Sequence, residues 1–127
     1  MSGGVAIVGA SHAGVQVAAS LRQGGWQEPI HLFSAEGAVP YHRPPLSKAF
    51  LAGEKSEDQI LLRSPDFFAA QGIDLYLDEP VLAVDTAANT ATSARRTVRY
   101  DRLVLATGSV ARRLQLPGTD LAGICTL

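Results

Sequence analysis

"VAIVGASHAGVQVAASLR", residues 5–22, decides the fold. Val5 to Val8 is a run of four apolar residues, three of them β-branched. It is too short for a helix and reads as a strand buried on both faces, as in a parallel sheet. From Ala13 to Gln23 the period changes. Gly14, Val17, Ala18 and Leu21 fall on one helical face, while Gln16, Ser20 and Gln23 lie largely elsewhere. Gly24 and Gly25 stop the helix, and Ile30 to Phe33 is a second short apolar strand. Residues 5–33 therefore form one β-α-β unit, whose crossover is right-handed in nearly all sheets. The fold class is α/β and Rossmann-like.

The turn between strand and helix has glycine at Gly9 and Gly14, with Ser11 where such turns often carry a middle glycine. A dinucleotide diphosphate carries about two negative charges and needs backbone N–H donors at close range, which a strand turning tightly into a helix presents at the positive end of the helix dipole. The first glycine permits the turn and the third lets helix pack on strand. The Cβ of Ser11 crowds the phosphate position, and its hydroxyl offers a hydrogen bond in exchange. A plain strand-to-helix turn is the alternative reading of the glycines taken alone. The ribose of a dinucleotide calls for an acid about 20 residues further on, at the end of the second strand. Glu36 is the candidate, two positions beyond Ser34; a solvated loop carboxylate is its other reading.

Residues 35–48, "AEGAVPYHRPPLSK", hold three prolines, so neither a regular helix nor a central strand fits. Ser64 to Gln71 reads as a short helix with Ser64 as N-cap, Pro65 in the first turn and Asp66 at the positive end; Gly72 ends it. Ile73, Leu75 and Leu77 alternate with polar or amphipathic neighbours in a strand. Val81 to Val84 and Thr97 to Tyr100 read as strands flanking the polar connection "DTAANTATSARR", giving a small antiparallel hairpin or meander. Leu103 to Ala106 is a further continuously apolar strand ending in "ATGS".

Composition sets outer limits. The chain has 127 residues, 46% of them hydrophobic, enough for one core. A net charge of −1 with scattered basic residues offers no nucleic-acid footprint. Cys125 is the sole cysteine, which excludes an internal disulfide, a CxxC pair and a multi-cysteine metal site; its surroundings suggest a small buried side chain. No metal ligand set is expected. No stretch approaches the roughly 20 apolar residues of a membrane span, and no basic region precedes an apolar N-terminal stretch. A cytoplasmic location is the expectation.

Three stretches in order, "VAIVGASHAG" from Val5, "PYHRPPLSKAFLAG" from Pro40 to Gly53 and "YDRLVLATGS" from Tyr100 to Ser109, carry a resemblance. Together they resemble the N-terminal FAD-binding part of the FAD-dependent NAD(P)H:ferredoxin and rubredoxin reductases that serve oxygenases, the putidaredoxin-reductase-like branch of the pyridine nucleotide-disulfide oxidoreductases. The resemblance implies FAD as cofactor, NAD(P)H as electron donor and an iron–sulfur ferredoxin or rubredoxin as partner. It implies cofactor contacts at Gly9, Ser11, His12, Ala13, Gly14, Ala35, Glu36 and Arg43 in the first half of the chain. Pro80 and Val81 would lie by the adenine, and Ala106, Thr107 and Gly108 would close over the diphosphate. Lys48 matches a lysine that reaches the flavin ring, where a cation stabilises the charge of the reduced ring. A surface lysine is its other reading, and a solvent-exposed loop arginine that of Arg43. The group usually carries an acid where this chain has Ala35, and an Asp where it has His42. His42 is expected to be a surface residue, His31 a strand side chain, and His12 a loop residue valued for its N–H. The absence of a CxxxxC pair beside the flavin favours the ferredoxin-reductase branch over disulfide reductases.

Members of this group are longer and carry a second glycine loop for the nicotinamide nucleotide. None occurs in these 127 residues. The expected division is a partial FAD-binding domain over 1–112 and a crossover segment toward a nicotinamide domain over 113–127, incomplete relative to the group. Exposed fragment surface would then invite self-association. The alternative function is an isolated nucleotide-binding module without activity of its own.

Overall fold

The computed structural model describes residues 3–126. The outermost positions of the two expected segments, 1, 2 and 127, lie outside the described residues. Strand β1 (Val5–Val8) leads into helix α1 (His12–Gln23) and strand β2 (Ile30–Phe33). Helix α2 (Pro65–Ala70) precedes β3 (Ile73–Tyr76), followed by β4 (Val81–Asp85), β5 (Thr90–Ser93), β6 (Thr97–Arg99) and β7 (Arg102–Leu105). The expected elements all form, with ends moved by one or two residues. The proline-rich stretch makes a 3₁₀ turn at Pro44–Ser47 and a single antiparallel bridge from Tyr41 to Leu61.

One sheet has the order β3-β2-β1-β7 and is parallel throughout, with Val5 opposite both Ile30 and Arg102. The other is the antiparallel meander β4-β5-β6. Its middle strand lies inside the polar connection, which sequence reading treats as a loop between two strands.

Strand β1 is buried on both faces, which is why its sequence is continuously apolar. Val5 and Ile7 pack with Val15 and Ala18 of α1, Ile30 and Leu32 of β2, and Phe68 of α2. Ala6, between them, turns to the opposite face and meets Ala91 and Tyr100, where the meander covers the sheet. The return from α1 to β2 is tied by Arg22, whose guanidinium donates to the carbonyls of Trp26, Glu28, Gln71 and Gly72 at 2.6–2.9 Å. One arginine thus fixes the end of α1 against the turn that precedes β3.

Beyond Leu105 no described residue belongs to a strand or helix. Leu114, Leu116, Leu121 and Ile124 are exposed there, and Leu105 is exposed on β7 at the sheet edge. Cys125 is exposed as well, contrary to the buried side chain suggested by its neighbours. No helix among the described residues is long and apolar enough to cross a membrane.

Candidate functional site

In the parallel sheet the chain moves from β1 to β2 and β3 on one side, and reaches β7 on the other. The crevice at the carboxyl ends of β1 and β7 is therefore the point where strand order reverses, where open α/β sheets bind their ligands. A cavity of about 680 Å³ opens there, within the range of small-molecule sites.

Its floor is the glycine turn. Gly9 has φ +107°, and a Cβ on it would stand 2.1 Å from the Ala106 carbonyl oxygen at the end of β7. Only glycine lets the two strand ends come this close. A Cβ on Gly14, one turn into α1, would stand 1.8 Å from the Gly9 carbonyl oxygen. Gly14 itself is buried and does not line the cavity; it sets how near the helix sits to the turn. Ser11 is the N-cap of α1 and its side chain makes no capping hydrogen bond. The cavity is walled here by Ser11, His12 and Ala13, so the first-turn N–H groups of a twelve-residue helix border it.

The second wall comes from the end of β2 and the proline-rich loop. Ser34, Ala35 and Glu36 line it, with Pro40, Tyr41 and Arg43. Glu36 accepts from the Tyr41 hydroxyl and from the Arg43 guanidinium, each at 2.6 Å. These two hydrogen bonds, Tyr41 first, hold its carboxyl below the usual range despite partial burial. Arg43 also donates to the Ser11 hydroxyl at 3.1 Å and to the Tyr41 oxygen at 3.2 Å. The guanidinium thus spans from the glycine turn to the carboxylate at the end of β2. A fork of donors is suited to this, whereas a lysine is not. Beside it, His12 Nε2 and His42 Nδ1 are 3.0 Å apart. His42 is exposed, as expected, but it is not an isolated surface ring.

The third wall is Ala106, Thr107 and Gly108, with Ser109 and Val110. Besides Gly14, three expected positions do not join the cavity lining. Lys48 is exposed and its Nζ donates to the Pro44 carbonyl at 3.4 Å, closing the 3₁₀ turn. Pro80 is exposed, and Val81 packs with the small cluster under the meander. Tyr41 is the polar residue that sequence reading passes over. Its place in "PYHRPP" is visible, but its bond to Glu36 depends on how the loop folds back.

The end of β2 is itself held from below. The backbone N–H groups of Asp78 and Glu79 donate to the carbonyls of Glu36 and Ser34, both at 2.8 Å. Glu79 is buried and accepts from the Ser93 hydroxyl at 2.6 Å and from Arg96 Nε at 2.7 Å. Arg96 in turn lies over the Tyr76 ring, 3.9 Å from its centroid. The meander is thereby fastened to the segment that shapes the cavity wall. His31, on β2, sits against the Tyr76 hydroxyl at 2.9 Å, and burial lowers its pKa; it is a strand side chain, as expected.

Known proteins share this architecture. The 5,5'-dehydrodivanillate O-demethylase ferredoxin reductase subunit of Sphingobium sp. is 47% identical over 122 residues, which are 95% of this chain and 30% of that protein. A rubredoxin-NAD(+) reductase of Ectopseudomonas oleovorans is 40% identical over 97% of this chain and 32% of its own length. The chain thus spans about a third of the curated relatives it matches. Among solved structures, a ferredoxin reductase from Rhodopseudomonas palustris superposes with a TM-score of 0.90 at 37% identity, covering 97% of this chain and 30% of that one. Putidaredoxin reductase in its covalent complex with putidaredoxin gives 0.84 at 43% identity, over 88% and 27%. The pattern of one family extends over residues 3–126, and the chain belongs to it: the pyridine nucleotide-disulphide oxidoreductases.

Proposed function

We propose that this chain is the FAD-binding part of a reductase that takes electrons from NAD(P)H and passes them through flavin to a ferredoxin- or rubredoxin-type protein. The observation that carries this reading is the cavity at the β1/β7 crevice, floored by the Gly9 turn, with Gly14 behind it setting the helix; a Cβ at either glycine would meet backbone. On this reading residues 1–112 form the FAD-binding unit, and 113–127 lead out of it toward a nicotinamide-binding part.

The residues present fit the cofactor. The Gly9 turn leaves room where a Cβ would stand, and the first turn of α1 presents donors suited to a diphosphate. Ser11 and Arg43 add a hydroxyl and a cation to the same place. Glu36 is the acceptor for ribose hydroxyls, with Tyr41 and Arg43 fixing its orientation and keeping it ionised. Ala106 to Gly108 close the far side. Bound FAD would supply the capacity to accept a hydride and release electrons singly; the chain's own residues bind the nucleotide and orient it. The place of Lys48 outside the cavity favours a narrower role for the chain by itself, a nucleotide-binding module without NAD(P)H-dependent turnover.

The experiment is an absorption spectrum of the purified chain, followed by titration with FAD. Saturable binding with a perturbed flavin band near 450 nm is expected, with one FAD per chain. Arg43→Ala removes links to both Ser11 and Glu36 and should weaken binding about tenfold or more, in line with loss of charge-assisted hydrogen bonds. Failure to bind FAD, or unchanged binding in Arg43→Ala, contradicts the assignment of cofactor or of residue respectively.

A further inference from the structure

We propose that the hollow between the proline-rich loop and residues 57–65 is a second binding site, for a small molecule whose apolar body carries an ammonium group; the inference stands apart from the FAD reading. A cavity of about 310 Å³ opens there. At roughly 30 Å³ for each water-sized volume, it has room for a ligand of about ten non-hydrogen atoms. Ala38 and Tyr41 line this cavity and the larger one alike, so they stand between the two.

Backbone pairing holds the hollow open. Tyr41 and Leu61 form an antiparallel bridge. On either side of it the His42 N–H donates to the Ile60 carbonyl at 2.7 Å, and the Leu62 N–H to the Pro40 carbonyl at 2.9 Å. Across the cavity the Phe50 N–H donates to the Pro45 carbonyl at 2.9 Å, which ties Phe50 to the 3₁₀ turn Pro44–Ser47. Ile60 is buried and lines the space, with Val39, Leu46 and Phe50 as further apolar walls. Because these walls are fixed by the fold, a ligand that buries an apolar group there does not have to order them first.

Charge decides what the apolar body must carry. Glu57 and Asp58 line the cavity, and no lysine, arginine or histidine does. Both acids are exposed, and neither is in an ion pair among the described residues. The larger cavity differs, because its carboxylate, Glu36, is matched by Arg43. Two unmatched carboxylates beside an apolar space favour an ammonium and disfavour a second carboxylate. Neither acid is needed to hold the walls. Glu57 precedes the short 3₁₀ turn Asp58–Ile60 without a side-chain cap bond, and the ties across the hollow are made by backbone groups.

The test is titration of the isotope-labelled chain with phenylbutylamine, followed by amide NMR shifts, with phenylbutanol and phenylbutyrate as its neutral and anionic counterparts. The expected result is saturable shifts centred on residues 38–65, with a Kd of about 1 mM for the amine. The alcohol should bind about three- to fivefold more weakly, and the carboxylate more weakly still. High salt should shrink the advantage of the amine. Glu57→Gln combined with Asp58→Asn should bring the amine down to the affinity of the alcohol and leave the alcohol unchanged, a pattern that loss of the fold would not produce. Equal affinity for the three compounds, or an amine advantage that survives in the double variant, overturns the ammonium site. Absence of shifts in this region up to about 10 mM amine overturns the cavity as a site.

Discussion

Gly14→Ala should lower the melting temperature by roughly 10 °C and weaken FAD binding by about tenfold or more, the cost expected when a methyl is forced into a close-packed contact. The geometry leaves no lesser outcome. The new Cβ would lie 1.8 Å from the Gly9 carbonyl oxygen, 3.0 Å from its carbon and 3.4 Å from Ile7 Cγ2. Two of these three neighbours are backbone, so no side-chain rotation relieves the contact. Helix α1 must lift from β1, and the lift separates Val15 and Ala18 from the Ile7 face of the sheet. It also carries His12 and Ala13 away from the cavity floor, so stability and binding fall together. Gly24→Ala, at the other end of the same helix, is the matched control. Its Cβ would meet the Ser20 oxygen at 3.3 Å, and Gly24 has φ −78°, which any residue adopts. Thermal melts and FAD titrations of both variants distinguish the cases. A Gly14→Ala protein that melts and binds like the native chain would show that close helix packing is not what the glycine serves.

The glycine turn is legible in the sequence because its constraint is local. A buried strand, a tight turn and an amphipathic helix each leave a signature within a few residues, and Gly9 and Gly14 stand where backbone meets backbone. Strand β5 leaves no such signature. Its inward residues, Ala91 and Ser93, are small, so a buried strand has the composition of a polar loop. The exposure of Cys125 is unreadable for a different reason: its neighbours give no period against which to judge it. The cavity wall is legible only in part. Glu36 and Arg43 can be named from position and motif, but their mutual bond, and the bridge from Arg43 to Ser11, join residues 7 and 32 positions apart through the path of a proline-rich loop. The His12–His42 contact spans 30 positions in the same way. Lys48 shows the converse. A motif assigns it to the flavin, yet the described fold turns its ammonium back onto its own 3₁₀ turn. Glu79 and Arg96 carry no sequence pattern whatever, because their pairing follows from the register of β4 against β5, which sets Val81 opposite Ser93.

That pairing yields the second large effect. Arg96→Met should lower the melting temperature at neutral pH by about 5 °C, as expected when a buried carboxylate loses a charge-assisted hydrogen bond from an arginine that is itself exposed. The Glu79 side chain is 3% exposed, and without Arg96 it retains the Ser93 hydroxyl as its side-chain partner. The sign of the pH dependence is the sharper test. In the native protein the hydrogen bond from Ser93, followed by that from Arg96, holds the Glu79 carboxyl below its ordinary value of 4.5. Its contribution to stability is complete above that value and is lost as pH falls toward the folded-state pKa. Glu36, also lowered, adds a loss of the same sign. In Arg96→Met, desolvation is opposed by the Ser93 hydroxyl, the largest of the native causes, and by the charge of Arg95, so the folded-state pKa of Glu79 rises toward its ordinary value without the Arg96 contribution. Acid then weakens this site less, and the fall in melting temperature between about pH 6 and pH 4 should be shallower than in the native chain. Adding Glu79→Gln to Arg96→Met removes the uncompensated charge and should recover part of the lost stability. Equal pH slopes in the native and Arg96→Met proteins would mean that the carboxylate draws its stabilisation from elsewhere. Because Glu79 and Asp78 hold the carbonyls of Ser34 and Glu36, FAD affinity should fall in Arg96→Met and return with the double variant. The reach of the substitution into the cavity is the point at issue.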